Sequence, residues 1–180
     1  VFSKKKIMVD FIKHFLPKSI AENIDLDSLN LENNSFIDEE MKEYFSDLVY
    51  SCRYKKDWEV RIALLFEHKS YLVKHPHFQL NRYMLNSWKQ DIEQKQKLTP
   101  IVPIIFYHGK QKWKKQNLAD YFEAIDDEIY EFLPSFDYVL IDLNNYTDEE
   151  ILALKIVFLV NSLIAMKHSH DKEFLLKIKE

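Results

Sequence analysis

The chain has 180 residues, a net charge of −4, 47% hydrophobic residues, five prolines and a single glycine. That length suits one domain with a full core, and one glycine excludes the glycine-rich phosphate loops of P-loop and dinucleotide-binding folds. The lone cysteine excludes a disulfide framework and points to a reducing compartment, so a cytoplasmic protein is expected.

In chain order, Ile7 to Phe15 reads as a helix stopped by Pro17, and Ser19 to Leu29 as irregular with short turns. A short strand is expected near Ser35 to Ile37. Phe45 to Tyr54 is rich in aromatic and β-branched residues and reads as a strand, with Cys52 as a buried, inert thiol. Lys55-Lys56-Asp57-Trp58 is a polar hairpin connection into an almost unbroken apolar strand, Ile62-Ala63-Leu64-Leu65-Phe66, which ends on Glu67-His68-Lys69. Charges where a strand leaves the core are costly unless a metal ion or a partner charge compensates. Glu67 and Lys69 project to one face and His68 to the other. A loop centred on Asp57 sets Asp47 directly opposite Glu67, whereas a two-residue loop sets it opposite Phe66 and separates the carboxylates. Two acids on neighbouring strands with a lysine one pleat away suit a hard divalent cation such as Mg²⁺. The plainer alternative is a cross-strand ion pair of Lys69 with Asp47 or Glu67.

After His75-Pro76-His77, a helix is expected from Phe78 to about Lys95, with Gln79 and Tyr83 on one face near its start. Trp88, Phe78 and Met84 should pack this helix into the core. Ile101 to Tyr107 is a dense β-branched strand that should run parallel to the Glu67 strand through a right-handed crossover. Then come a helix from about Leu118 to Leu133, a strand from Tyr138 to Leu143, and a helix capped by Thr147 with Asp148, Glu149 and Glu150 in its first turn. Ile156 to Met166 is too short to span a membrane and reads as a core helix, so no membrane association is expected. The closing His168 to Glu180 is polar and at most helical.

His75, His77, His168 and His170 are expected to be exposed, and His108 to be a turn histidine bonded to backbone or, alternatively, a phosphate contact. The net charge argues mildly against DNA. Lys110, Lys112, Lys114 and Lys115 around Trp113, with Lys55 and Lys56, would either flank the metal face or form solvated loops.

Acid, then Glu67-x-Lys69, then Gln79-x-x-x-Tyr83 resembles the PD-(D/E)XK nuclease superfamily, in particular its RecB-like members. The ordered series Phe15-Leu16-Pro17, Ile24-Asp25-Leu26-Asp27-Ser28-Leu29, Ser46-Asp47-Leu48-Val49-Tyr50-Ser51, Leu65-Phe66-Glu67-His68-Lys69-Ser70, Pro100 to Gly109 and Trp113 looks like the Rpn family of recombination-promoting nucleases. The resemblance implies an α/β fold with a restriction-endonuclease-like core, a central mixed sheet flanked by helices. It implies a DNA endonuclease linked to recombination or mobile elements and dependent on Mg²⁺ or Mn²⁺. Asp47, Glu67 and the backbone carbonyl of His68 would be the ligands, Lys69 the catalytic lysine, and Gln79 and Tyr83 supporting residues. Ser46 stands where the superfamily name has proline, and Lys69 where many Rpn relatives carry glutamine. Val1 is not an initiator methionine, so residues 1–180 are expected to be one nuclease domain within a longer chain. With one site per chain, cutting both strands would favour a homodimer. The other readings are a catalytically inactive nuclease-like module that binds DNA or a protein partner, and a transposase performing strand transfer at the same metal site.

Overall fold

The structure is a computed structural model that describes residues 1–180 other than Asn34, Glu40, Met41, Glu43, Tyr44, Asp57, residues 68–72, 172, 173 and 175–180, and other than the side chains of Phe45 and Glu67. Five strands, β1 (Ile24–Leu31), β2 (Phe45–Tyr54), β3 (Trp58–Glu67), β4 (Ile101–Tyr107) and β5 (Val139–Asp142), form one sheet in that order. β2 runs antiparallel to both its neighbours, β1 and β3, while β3, β4 and β5 are parallel, so the sheet is mixed. A short turn can join only antiparallel neighbours, whereas parallel β3 and β4 need a long crossover. The helix α3 (Pro76–Glu93) supplies it.

Both faces of the sheet are covered, which is why β3 is apolar at every position from Ile62 to Phe66. Its even positions, with Ile104 and Phe106 of β4, pack beneath α1 (Lys5–Phe15) and α6 (Val157–Lys167) through Met8, Phe11, Leu159 and Leu163. Its odd positions, Ala63 and Leu65, join Val49, Ile105 and Tyr107 under Leu80 and Tyr83 of α3. Two short helices, α2 (Lys18–Ala21) and α4 (Asp127–Tyr130), lie in the connections, and α5 (Asp148–Leu152) precedes α6. The chain is thus α/β with a central mixed sheet flanked by helices. Among the described residues no helix is long and apolar enough to cross a membrane.

Buried polar groups fix the layers. The Arg61 guanidinium donates to both carboxylate oxygens of Asp91 at 2.8 Å, to Glu32 Oε1 at 3.1 Å and to Ser87 Oγ at 3.1 Å, joining β3 to α3 and to the residue after β1. Asp10, buried on α1, accepts the backbone N–H groups of Lys155 at 3.0 Å and Ile156 at 3.1 Å, so it seats the entry to α6. Thr147 caps α5 as expected: its Oγ1 accepts from Glu150 N while Glu150 Oε2 accepts from Thr147 N.

Several expectations need correction. Ile24–Leu31 is a strand, although its pairing breaks between Asp25 and Asn30, where Asp27 N–H and the Ser28 hydroxyl bond locally to Asp25. Residues 35–37 belong to no strand, because the Phe36 N–H is taken by a side chain, the Asp47 carboxylate, instead of a neighbouring strand. The expected helix from Leu118 to Leu133 is a 3-10 turn at Leu118–Tyr121 followed by α4 alone. Asn117 with Asp120, and then Asp126, satisfy local N–H groups as caps, while Ile129 and Phe132 remain 58% and 82% exposed, so no apolar stripe holds a longer helix. Only part of α6 is core, since Val157 and Phe158 face outward. His75 and His170 are exposed as expected, but His168 pairs with Asp148 at 2.9 Å and His77 is 2% exposed among Tyr121, Phe136 and Tyr138. Met84 is buried as expected, whereas Trp88 is only half-buried, its indole N–H donating to the Thr99 carbonyl at 2.9 Å, and Phe78 is exposed.

Candidate functional site

The β2–β3 hairpin closes with Tyr54 opposite Trp58, leaving a loop of Lys55, Lys56 and Asp57. Lys55 and Lys56 adopt positive φ, 47° and 75°, a conformation that fits the turn although neither residue is glycine. The loop is therefore centred on Lys56, one residue earlier than the register expected from the sequence. Asp47 consequently stands opposite Leu65, and Glu67 opposite Phe45. The shift of two pairs keeps the parity of the ladder, so positions 47 and 67 are diagonal neighbours on one pleat, roughly 7–8 Å apart. Directly opposed carboxylates are ruled out; positions close enough to share one ion are retained.

Among the described residues of the expected site, Asp47 is the best-anchored. Its Oδ1 accepts the Ser35 hydroxyl at 2.6 Å, and its Oδ2 accepts the Phe36 N–H at 3.1 Å and the Tyr83 hydroxyl at 3.0 Å. Tyr83 is fully buried, and burial, followed by the adjacent Asp47 charge, pushes its phenol well above the usual tyrosine range. The hydroxyl therefore stays protonated and always donates to the carboxylate. Because α3 follows β3, Gln79, four residues before Tyr83, lies about 6 Å nearer the helix start at 1.5 Å per residue. Its Oε1 is buried with no hydrogen-bond partner among the described residues, a state that costs about 1–3 kcal/mol unless a donor or cation meets it.

These groups fit a hard divalent ion in kind. A carboxylate oxygen has two lone-pair directions, so, counting donors among the described residues, Asp47 Oδ2 is filled and Oδ1 keeps one direction open. That open position and the buried Gln79 amide oxygen are oxygen donors of the type Mg²⁺ and Mn²⁺ prefer. Among the described residues no three His, Cys, Asp or Glu groups gather at one point; the Glu67 side chain, His68 and Lys69 lie outside the described residues.

The remaining expected neighbours separate. Lys55 and Lys56 follow the opposite end of β2, whose last residue, Tyr54, is about 23 Å from Asp47 at 3.3 Å per residue. Lys110, Lys112 and Lys114 are exposed beyond the end of β4, but Lys115 pairs with Asp137 at 2.5 Å. Trp113 is core, packed edge-on to Tyr107 with ring centres 5.1 Å apart. His108 lies beside Phe106, on the sheet face away from Asp47, and its Nδ1 is buried without a partner among the described residues. Burial, then the nearby His170, lowers its pKa, so it is neutral near pH 7. Sequence reasoning missed Ser35 and Phe36. Their contacts to Asp47 span eleven and twelve residues and follow no repeat, so a serine before a phenylalanine in a polar stretch was the only trace they left.

Comparison with known proteins adds the lineage. The chain is 30% identical over 168 residues to the recombination-promoting nuclease RpnD of Escherichia coli O157:H7, covering 92% of this chain and 64% of that protein. It is 28% identical over 167 residues to the recombination-promoting nuclease RpnA of Escherichia coli K12, covering 92% and 56%. It is also 27% identical over 167 residues to RpnE of Escherichia coli K12, named an inactive recombination-promoting nuclease-like protein, covering 92% and 55%. The chain thus spans between 55% and 64% of the length of these relatives. No solved structure matches it. The family described as "Putative transposase, YhgA-like" matches residues 1–180, and the chain belongs to that family.

Proposed function

We propose that this chain carries the active site of a metal-dependent DNA endonuclease with a PD-(D/E)XK core, acting in recombination or mobile-element movement. The observation that carries the reading is the Asp47 carboxylate, which among the described residues is fixed by three donors with one oxygen position left open, on the same sheet face as position 67. The names of RpnD and RpnA support the nuclease assignment. Mg²⁺ or Mn²⁺, when bound, supplies Lewis acidity toward a phosphate oxygen.

Asp47, Glu67 and the carbonyl oxygen of His68 would hold the ion as hard-oxygen ligands. Lys69 orients the attacking water and offsets the charge that develops on the phosphate. The water oxygen forms the new P–O bond as the bond to the leaving sugar oxygen breaks, and a proton passes to that leaving oxygen. Tyr83 holds Asp47 in place and Gln79 supports the site from the same helix. DNA is the substrate, and two copies of the chain would be needed to cut both strands together.

The test is conversion of supercoiled plasmid to nicked and linear forms by the wild type, Asp47→Ala and Glu67→Ala, each with Mg²⁺, Mn²⁺ or EDTA. The reading requires cutting that depends on metal and disappears in both folded variants. RpnE, named inactive, favours a second reading, a module that binds DNA or a protein without cutting. That reading predicts no cutting by the wild type with any metal.

A further inference from the structure

The segment from Ser35 to Asp38 approaches Asp47 from outside the sheet and is anchored along α3. Asn86 Nδ2 donates to the Phe36 carbonyl at 3.2 Å and to Asp38 Oδ2 at 3.1 Å, and the Arg82 guanidinium pairs with Asp38. Phe36 is 5% exposed, packs edge-on to Tyr83 with ring centres 5.8 Å apart and lies under the Arg61 guanidinium. The residue next to Ser35 is thus locked by packing, by its carbonyl and by its own N–H. The Ser35 hydroxyl is delivered to Asp47 Oδ1 by a backbone with little freedom.

The consequence lies in which lone pairs stay open. Phe36 N–H and Tyr83 O–H occupy both directions on Oδ2, while Ser35 occupies one of the two on Oδ1. Without the Ser35 contact, Oδ1 would offer two open directions and the carboxylate would lose a donor that opposes its rotation.

We propose that Ser35 is a positioning residue for the divalent-cation site: its hydroxyl, with the Phe36 N–H, holds Asp47 so that it binds the cation through Oδ1 alone. This rests on the reading of Asp47 as a ligand. Ser35 touches neither substrate nor metal; it acts through the carboxylate it orients. Outer hydrogen-bond partners of this kind commonly change metal affinity by about 10–100-fold.

The test measures Mn²⁺ affinity without DNA, by electron paramagnetic resonance of free Mn²⁺ and by calorimetry, for the wild type, Ser35→Ala and Ser35→Thr. Melting temperature in EDTA is recorded for each. Ser35→Ala should weaken Mn²⁺ binding by about tenfold or more, Ser35→Thr should restore it, and the metal-free melting temperature should change little in either. Equal Mn²⁺ affinity in wild type and Ser35→Ala would overturn the positioning role while leaving the metal site intact. A loss that Ser35→Thr does not rescue, accompanied by a large fall in the EDTA melting temperature, would make Ser35 structural and also overturn it. Absence of Mn²⁺ binding by the wild type would overturn the metal site itself, and the positioning role with it.

Discussion

Asp91→Ala should be among the most damaging single substitutions outside the candidate site. The Arg61 and Asp91 side chains are 9% and 2% exposed, so the pair is sheltered from water. Truncating Asp91 removes two 2.8 Å charge-assisted hydrogen bonds and leaves the Thr99 N–H, 3.2 Å from Asp91 Oδ2, without that acceptor. Leaving one member of a buried pair uncompensated costs about 3–5 kcal/mol. Glu32 still faces Arg61 at 3.1 Å, which puts the expected loss at the lower end, about 3 kcal/mol. In a domain of this size each kcal/mol lowers the melting temperature by about 2–4 °C, so the fall should be roughly 6–12 °C. Urea and thermal unfolding followed by circular dichroism would measure it for Asp91→Ala, Arg61→Met and Arg61→Met/Asp91→Leu. The double variant should recover much of the stability, because it leaves no uncompensated charge apart from Glu32, which lies near the surface at 15% exposure. A loss below about 1 kcal/mol in Asp91→Ala, or a double variant less stable than either single one, would refute the claim that this ion pair seats α3 on the sheet.

Tyr83→Phe removes a donor from Asp47 Oδ2 while keeping the ring, so unfolding should show a loss of about 1.5–3 kcal/mol, and a double-mutant cycle with Asp47→Ala should show strong coupling; additive effects would mean that the hydrogen bond contributes nothing. Burial holds the His77 pKa below its ordinary 6.5. The unfolded chain then takes up the proton first, so this stabilisation is complete above about pH 6.5 and declines as pH falls through that value toward the lower folded pKa. His108 shifts in the same direction, so His77→Gln should flatten, without abolishing, the loss of stability between about pH 7 and pH 5; an unchanged slope would refute the assignment. Burial, then the charges of Asp25 and Glu59, pushes the Cys52 thiol up to about 11. Native protein at pH 8 should therefore react very slowly with a thiol-specific disulfide reagent and show one reactive thiol on denaturation. Rapid stoichiometric reaction of the native chain would contradict this.

Strands and helices with one dominant pattern were legible in the sequence. The apolar run of β3, the β-branched β4, the aromatic β2, the Thr147 cap and the long α3 stand close to where periodicity and capping residues put them. The elements misread are those whose outcome depends on a distant partner. Residues 35–37 make no strand because the Phe36 N–H goes to Asp47 and the Ile37 N–H to the Ser35 hydroxyl. β1 is interrupted by local bonds to Asp25, and Leu118 to Leu133 offers acidic caps without a buried stripe. In the candidate site, the shared face of Gln79 and Tyr83 followed from the four-residue spacing of helices. The register did not, because it turned on whether two lysines would accept positive φ in the hairpin.

Local chemistry along the chain was therefore enough to specify an α/β sheet and a helix after β3 that carries Gln79 and Tyr83 near its start. Side-chain alternation and helical periodicity are short-range rules that need no knowledge of the rest of the fold. Only the folded chain decided that Asp47 faces Leu65, that Ser35 and Phe36 close on its carboxylate, and that His77 is buried while Lys55 and Lys56 lie far from the site. Those outcomes are set by contacts between residues remote in sequence, where packing and hydrogen-bond satisfaction choose among arrangements that local preference leaves nearly equal.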